Sequence, residues 1–269
     1  MRFAAMSRIT IITVACFWFL AFCPAFLSQA DAVTYYVDAT IGNDSNSGTS
    51  SNLAWRTVSR VNSAALQPGD SVLFRRGQSW SESLDISSNG SSGSRITFGA
   101  YSGGANPILY RVTLRGNYIT VENITVDHNK QSGDAVRIRT GHHCIFRGMT
   151  IRNGTSDGID VDKADGLLVE NTLIHHFLAG SFSNQADAHG ITATGTNGIT
   201  IRNVEIHHVS GDSFQTDPNR EGSNNVLIEN SHFWTSPLGT GFNSGWLAGQ
   251  RPGENAVDTK VATSNIDAT

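Results

Sequence analysis

Apolar and polar residues alternate through the second half of the chain, and one short version of the alternation returns five times. It reads Val121-Glu122-Asn123-Ile124-Thr125-Val126, Phe146-Arg147-Gly148-Met149-Thr150-Ile151, Val169-Glu170-Asn171-Thr172-Leu173-Ile174, Ile201-Arg202-Asn203-Val204-Glu205-Ile206 and Ile228-Glu229-Asn230-Ser231-His232-Phe233. The intervals are 25, 23, 32 and 27 residues. Alternation marks a strand with one face to a core and one to water. A repeat of this length means stacked units that bury a common core only beside their neighbours. The column Asn123, Gly148, Asn171, Asn203, Asn230 holds the two residue types that most readily take positive φ, which predicts a sharp bend at one corner of every coil. Inward columns flank it. Ile119, Cys144, Leu167, Ile199 and Val226 come four positions before the corner, and Val126, Ile151, Ile174, Ile206 and Phe233 three after it. A later strand supplies Val136, Ile159, Ile191, Phe214 and Val257. Three inward strands per turn predict a parallel β-helix.

Upstream, Val33 to Asp38 reads as a first strand. Trp55, Val58, Val61 and Ala65 follow at helical spacing, so a helix over Trp55 to Leu66 is expected to cover the open N-terminal end. Pro68-Gly69-Asp70 then turns into a strand from Ser71 to Phe74, and Ile96 to Tyr101 begins the regular stack. Val261 to Thr269 shows neither a helix nor a Pro-rich cover, which leads to the expectation of a fragment, or a truncated relative of longer proteins.

The repeats, with Tyr35-Tyr36-Val37-Asp38-Ala39, Gly42-Asn43-Asp44-Ser45, Trp55-Arg56-Thr57 and Pro68-Gly69-Asp70-Ser71-Val72-Leu73-Phe74, resemble secreted right-handed parallel β-helix proteins of the pectate-lyase-like superfamily. The resemblance covers nearly all of the chain after residue 32. It implies an all-β, right-handed parallel β-helix (solenoid) with a short N-terminal capping helix. It is only suggestive for reaction, because lyases, hydrolases and epimerases share the fold.

Composition narrows the setting. Arg2 and Arg8, the apolar run Ile9 to Leu27 and Ala30-Asp31-Ala32 describe a secretory signal peptide over residues 1–32, followed by a single β-helix domain over 33–269. An uncleaved membrane anchor is the other reading of that run. Cleavage leaves 17 basic and 22 acidic residues, against nucleic acid as a partner. Cys16 and Cys23 leave with the signal, so Cys144 stands alone on an inward column and reads as core. The expected product is secreted or periplasmic, without stable membrane association, and monomeric if its C-terminal end is covered.

Candidate chemistry lies on outward neighbours of the last strand of each coil. One column holds Arg137, Asp160, Thr192, Gln215 and Asp258, and another Arg139, Asp162, Thr194, Asp217 and Lys260. The preceding turn contributes Asp134, Asp157, His189, Asp212 and Asn255. With coils about 4.8 Å apart, these form one patch. Carboxylates crowded despite repulsion suggest a cation or a reaction, whereas a solvated strand face is the structural alternative.

Asp157, Asp160, Asp212 and Asp258 are oxygen donors suited to calcium. Lys260 is the candidate base, with a salt bridge to Asp217 as its structural alternative, and Asp217 completes the catalytic set. His189, between two aspartates, is a possible acid or a structural ladder member. Arg137, Arg139, Gln215, Trp234 and Trp246 are candidate substrate contacts, the aromatics through stacking on sugar faces. His175-His176 and His207-His208 occupy matching places on another side, read as a stacked ladder or, without an acidic cluster beside them, less readily as a metal site.

The resemblance favours calcium-assisted β-elimination on an acidic, uronate-containing polysaccharide. A polygalacturonase-type hydrolase is the first rival: Ser156-Asp157-Gly158-Ile159-Asp160 matches part of that pattern, but Thr192 stands where paired aspartates are expected. A non-catalytic carbohydrate-binding or adhesion β-helix needs only the charged face and aromatic loops.

Overall fold

The computed structural model describes residues 31–181, 184–216, 221–234, 253–260 and 264–269. The signal-peptide reading, Asp217 and Trp246 therefore lie outside the described residues. Among the described residues, 19 strands coil into three parallel stacks that together form one sheet, and Ala179–Ser181 pairs separately with Asn184–Ala186 in an antiparallel hairpin.

The first stack runs from Thr34–Val37 through Ser71–Arg75, Ile96–Tyr101, Ile119–Glu122 and Ile145–Arg147. It continues into the leading parts of Leu167–Phe177 and Asn197–Val209, then Asn224–Glu229 and Ser264–Ala268. The second contains Thr125–Asp127, Thr150–Gly154, the trailing parts of the two long strands, and His232–Trp234. The third pairs Val136–Arg139, Ile159–Asp162, Ile191–Thr194, Phe214–Thr216 and Val257–Asp258 in sequence. Ser79–Ile86 and Ile108–Leu114 serve both the second and third stacks.

The corner between the first two stacks forms as its residue types require. Asn123, Asn171, Asn203 and Asn230 have φ of 55°, 50°, 51° and 49°, and Gly148 has 62°. Asn203 Nδ2 donates to Asn171 Oδ1 at 3.2 Å, so the column is laced between coils. Gly148 is also sterically required, because a Cβ there would lie 2.7 Å from Asn123 Oδ1. The predicted columns are buried from Ile119 through Val226, with Cys144 fully inside. Burial pushes the Cys144 thiol up to about 11, so it is an inert core group.

Two N-terminal expectations need correction. The stack begins at Thr34, two coils before Ile96, since Thr34–Val37 already pairs with Ser71–Arg75. The helix is shorter than its spacing suggests, Val58–Asn62, because Trp55 is held as an isolated bridge to Val37. Its first N–H groups find acceptors across the chain. The Thr57 side chain accepts from Arg60 N, and the Glu82 carboxylate accepts from Val58 N and Ser59 N. At the other end, Ser264–Ala268 adds a further strand on Asn224–Glu229.

Asp38 anchors the first turn. It is fully buried, takes Arg75 Nη1 at 2.6 Å, and accepts from Thr40 N, Ile41 N and Gln78 Nε2. Burial raises its pKa, but the bonds from Arg75, Gln78 and the two amides outweigh this and hold it at about 2. A depressed carboxylate stabilises the fold above its ordinary value of 3.8 and loses that contribution as pH falls towards about 2. Thermal melts of wild type and Asp38→Asn should differ most at neutral pH and converge on acidification. A gap that stays constant would refute this.

Candidate functional site

The outward face of the third stack carries the patch. Register places Arg137, Asp160, Thr192, Gln215 and Asp258 on successive coils in one column, as the sequence predicts. The turn residues stack as well, since Ala135 N donates to Asp157 O, Gly158 N to His189 O, and Gly190 N to Asp212 O.

The turn aspartates have a structural task that the sequence did not reveal. Asp134 Oδ1 accepts Asp157 N at 3.4 Å, Asp157 Oδ1 accepts His189 N at 2.9 Å, and Asp212 Oδ1 accepts Asn255 N at 2.9 Å. Each carboxylate thus satisfies a backbone donor in the next coil. Their crowding is explained in part by this ladder, without a bound cation.

His189 adds something the ladder does not need. Its Nδ1 lies 2.9 Å from Asp157 Oδ1, and its Nε2 lies 3.9 Å from Asp212 Oδ2. Nε2 and Asp212 Oδ2 are buried and have no hydrogen-bond partner among the described residues. Burial alone would push the imidazole's pKa down. The Asp157 hydrogen bond and the charges of Asp157, Asp212 and Asp187 reverse that and leave it above the ordinary value. Gly211 permits this packing, because a Cβ there would meet the ring at 2.8 Å.

Asp160 sits beside this pair. Arg139 Nη2 donates to its Oδ2 at 2.5 Å, and the Thr192 hydroxyl oxygen lies 3.2 Å from both Asp160 Oδ1 and Asp157 Oδ2. Two such contacts on one oxygen keep the carboxylates less than twice that distance apart. Burial raises the Asp160 pKa; Arg139 opposes it, and the charges of Asp134 and Asp157 add to the rise, so the net shift is upward. Thr192, which breaks the polygalacturonase pattern, is the bridge between the two acids.

The cations are committed to acids. Arg137 Nε lies 3.0 Å from Asp134 Oδ2. Lys260 pairs with Asp258, two residues before it, and that partner, ahead of the opposing effect of burial, raises its pKa. A base needs the opposite shift, so Lys260 stands here as a cation. Asp157, Asp160, Asp212 and Asp258 hold His189, Arg139, Asn255 and Lys260 respectively. Among the described residues they do not converge as a group of three or more acids and histidines around one ion. Gln215 lies on the column, half-exposed. Trp234 does not reach the patch: it ends a strand of the second stack, lies over His207, and donates from Nε1 to Glu205 Oε1.

Residues 110–236 match the family model described as "Right handed beta helix region". Among solved structures, a rhamnogalacturonan lyase aligns with a TM-score of 0.66 at 16% identity, over 87% of this chain and 62% of its own. A pectate lyase gives 0.61 at 17%, over 86% and 63%. The chain has the pectate-lyase-like right-handed β-helix fold.

An alginate lyase from a Paenibacillus species shares the β-helix at a TM-score of 0.55 and 15% identity, over 74% of this chain and 66% of its own. In sequence, the lacto-N-biosidase of Bifidobacterium longum is 38% identical over 78 residues, which are 28% of this chain and 5% of that protein. The β-helix described here thus spans less than two thirds of each of these relatives. No helix among the described residues is long and apolar enough to cross a membrane.

Proposed function

We propose that this β-helix is an exported enzyme that cleaves a polysaccharide on the outward face of its third stack, by acid–base chemistry at Asp157 and Asp160. One observation carries the reading: two carboxylates share a single hydroxyl, yet sit in different surroundings. Asp160 is buried with a raised pKa, whereas Asp157 is reached by two N–H groups of His189. Paired acids whose environments diverge divide the roles of acid and base.

Asp160 would protonate the glycosidic oxygen as the bond to the anomeric carbon breaks. The Asp157 carboxylate would attack that carbon to form a glycosyl ester, which water then hydrolyses. Such double displacement needs carboxyl groups roughly 5–5.5 Å apart, an approach that the shared Thr192 hydroxyl, 3.2 Å from an oxygen of each, allows. His189, backed by Asp212, positions Asp157. The sequence relative named a biosidase and the glycan-acting structural neighbours agree with a glycan substrate.

β-Elimination on a uronate is the second reading, favoured by Arg137, Arg139 and Lys260 on the same strip, which could face a sugar carboxylate. Its calcium-assisted form would recruit Asp157, Asp160, Asp212 and Asp258 away from their present partners.

Incubation with neutral glycans, pectin, polygalacturonate and alginate, with and without chelator, separates the readings. New reducing ends without unsaturated-uronate absorbance, insensitive to chelator, are expected. Unsaturated products would replace hydrolysis by elimination, and their loss on chelation would restore the calcium form. Retention without turnover of any glycan would reduce the protein to a binding module.

A further inference from the structure

Away from the acid pair, on the second stack, the two His-His pairs form a second cluster. His175 and His207 occupy the same outward position on successive coils. Strand alternation would send the next residue into the core. Instead His176 and His208 have φ of 65° and 53°, which turns them outward and returns Phe177 and Val209 to the interior. Four imidazoles therefore gather on one half-buried surface, continued by Trp234.

Their rings do not simply stack. His175 lies over His207 and His176 over His208, with centroids 5.2 and 4.8 Å apart. Within a pair the rings are steep, at 75° between His207 and His208. This crossing brings the Nδ1 atoms of each pair, His175 with His176 and His207 with His208, into hydrogen-bond contact. One ring nitrogen from each of His176, His207 and His208 lies within 4.8 Å of the others. A tetrahedral zinc site with Zn–N of about 2.0–2.1 Å needs nitrogens about 3.3 Å apart, which modest ring rotation would supply.

We propose that His176, His207 and His208 bind a divalent transition ion of the zinc or nickel type. Imidazole selects such ions over calcium or magnesium. A neutral imidazole ligates through a ring nitrogen, and all three side chains are half-buried on one surface. Glu205 supplies a nearby negative charge that acts on His207, and it is fixed by Trp234 Nε1. Three protein ligands leave a position for water or a glycan hydroxyl.

Calorimetric titration of the purified chain with zinc chloride and with nickel chloride tests the site, with cobalt(II) absorbance reporting its geometry. One ion per chain is expected. His207→Ala and His208→Gln should each weaken binding at least tenfold, while His189→Ala stays within twofold; melting curves confirm that each variant is folded. His208→Gln keeps the ring's approximate volume, so a loss there is not explained by a cavity. Absence of binding, binding that survives His207→Ala, or binding lost in His189→Ala would overturn the assignment. None of these outcomes bears on the acid pair, whose test is glycan cleavage.

Discussion

Asp160→Asn is expected to lower turnover of the cleaved glycan by about 10²- to 10⁴-fold, the usual contribution of a positioned general acid. The amide keeps the shape and can still meet Thr192 and Arg139, but it has no proton to give. Stability should change little by comparison, because burial already disfavours the Asp160 charge. The pH profile supplies the sharper reading. A raised pKa means that the acid form persists above the ordinary carboxylate range, so kcat/KM should fall as pH rises through the Asp160 pKa, and that limb should vanish in the variant. Asp157→Asn should be comparably inactive, and the double variant hardly worse than either, since the two act as a unit. Full activity in Asp160→Asn would sink the carboxylate pair.

Phe214→Ala should be the most damaging core change near the site, at about 3–5 kcal/mol. Phe214 is fully buried and lies in register between Ile191 and Val257. Its neighbours Asp212 and Ser213 carry the rung that meets His189 and Asn255. Coils are held by nearest-neighbour contacts, so a cavity in one weakens its seam with both others. Denaturant unfolding should show a lowered midpoint, and activity should fall with it at temperatures where the wild type is unaffected. A loss under about 1 kcal/mol would mean that the neighbouring coils collapse into the space.

Most of the fold could be read before any coordinates, and the candidate site only halfway. Aspartates 157, 160 and 212 with His189 fall together because register alone makes them neighbours. The sequence reading of Lys260 as a base missed its partner Asp258, two residues earlier, which competes with any partner in the next coil. Trp234 was assigned to the wrong side, because a strand's membership in one stack depends on where the chain bends before it. The Trp55 helix register failed for a related reason: a backbone bridge to Val37 outweighs helical spacing in so short a segment.

By itself, the sequence determined the coil, its Asn and Gly corner and the columns that fill its interior, because alternation and positive φ are local properties that repetition makes visible. Only the tertiary structure decided that Thr192 bridges two acids, that turn carboxylates cap the backbone of the following coil, and that His176, His207 and His208 converge. Those contacts join residues of different coils through particular side-chain rotations, and no periodicity in the chain encodes a rotation.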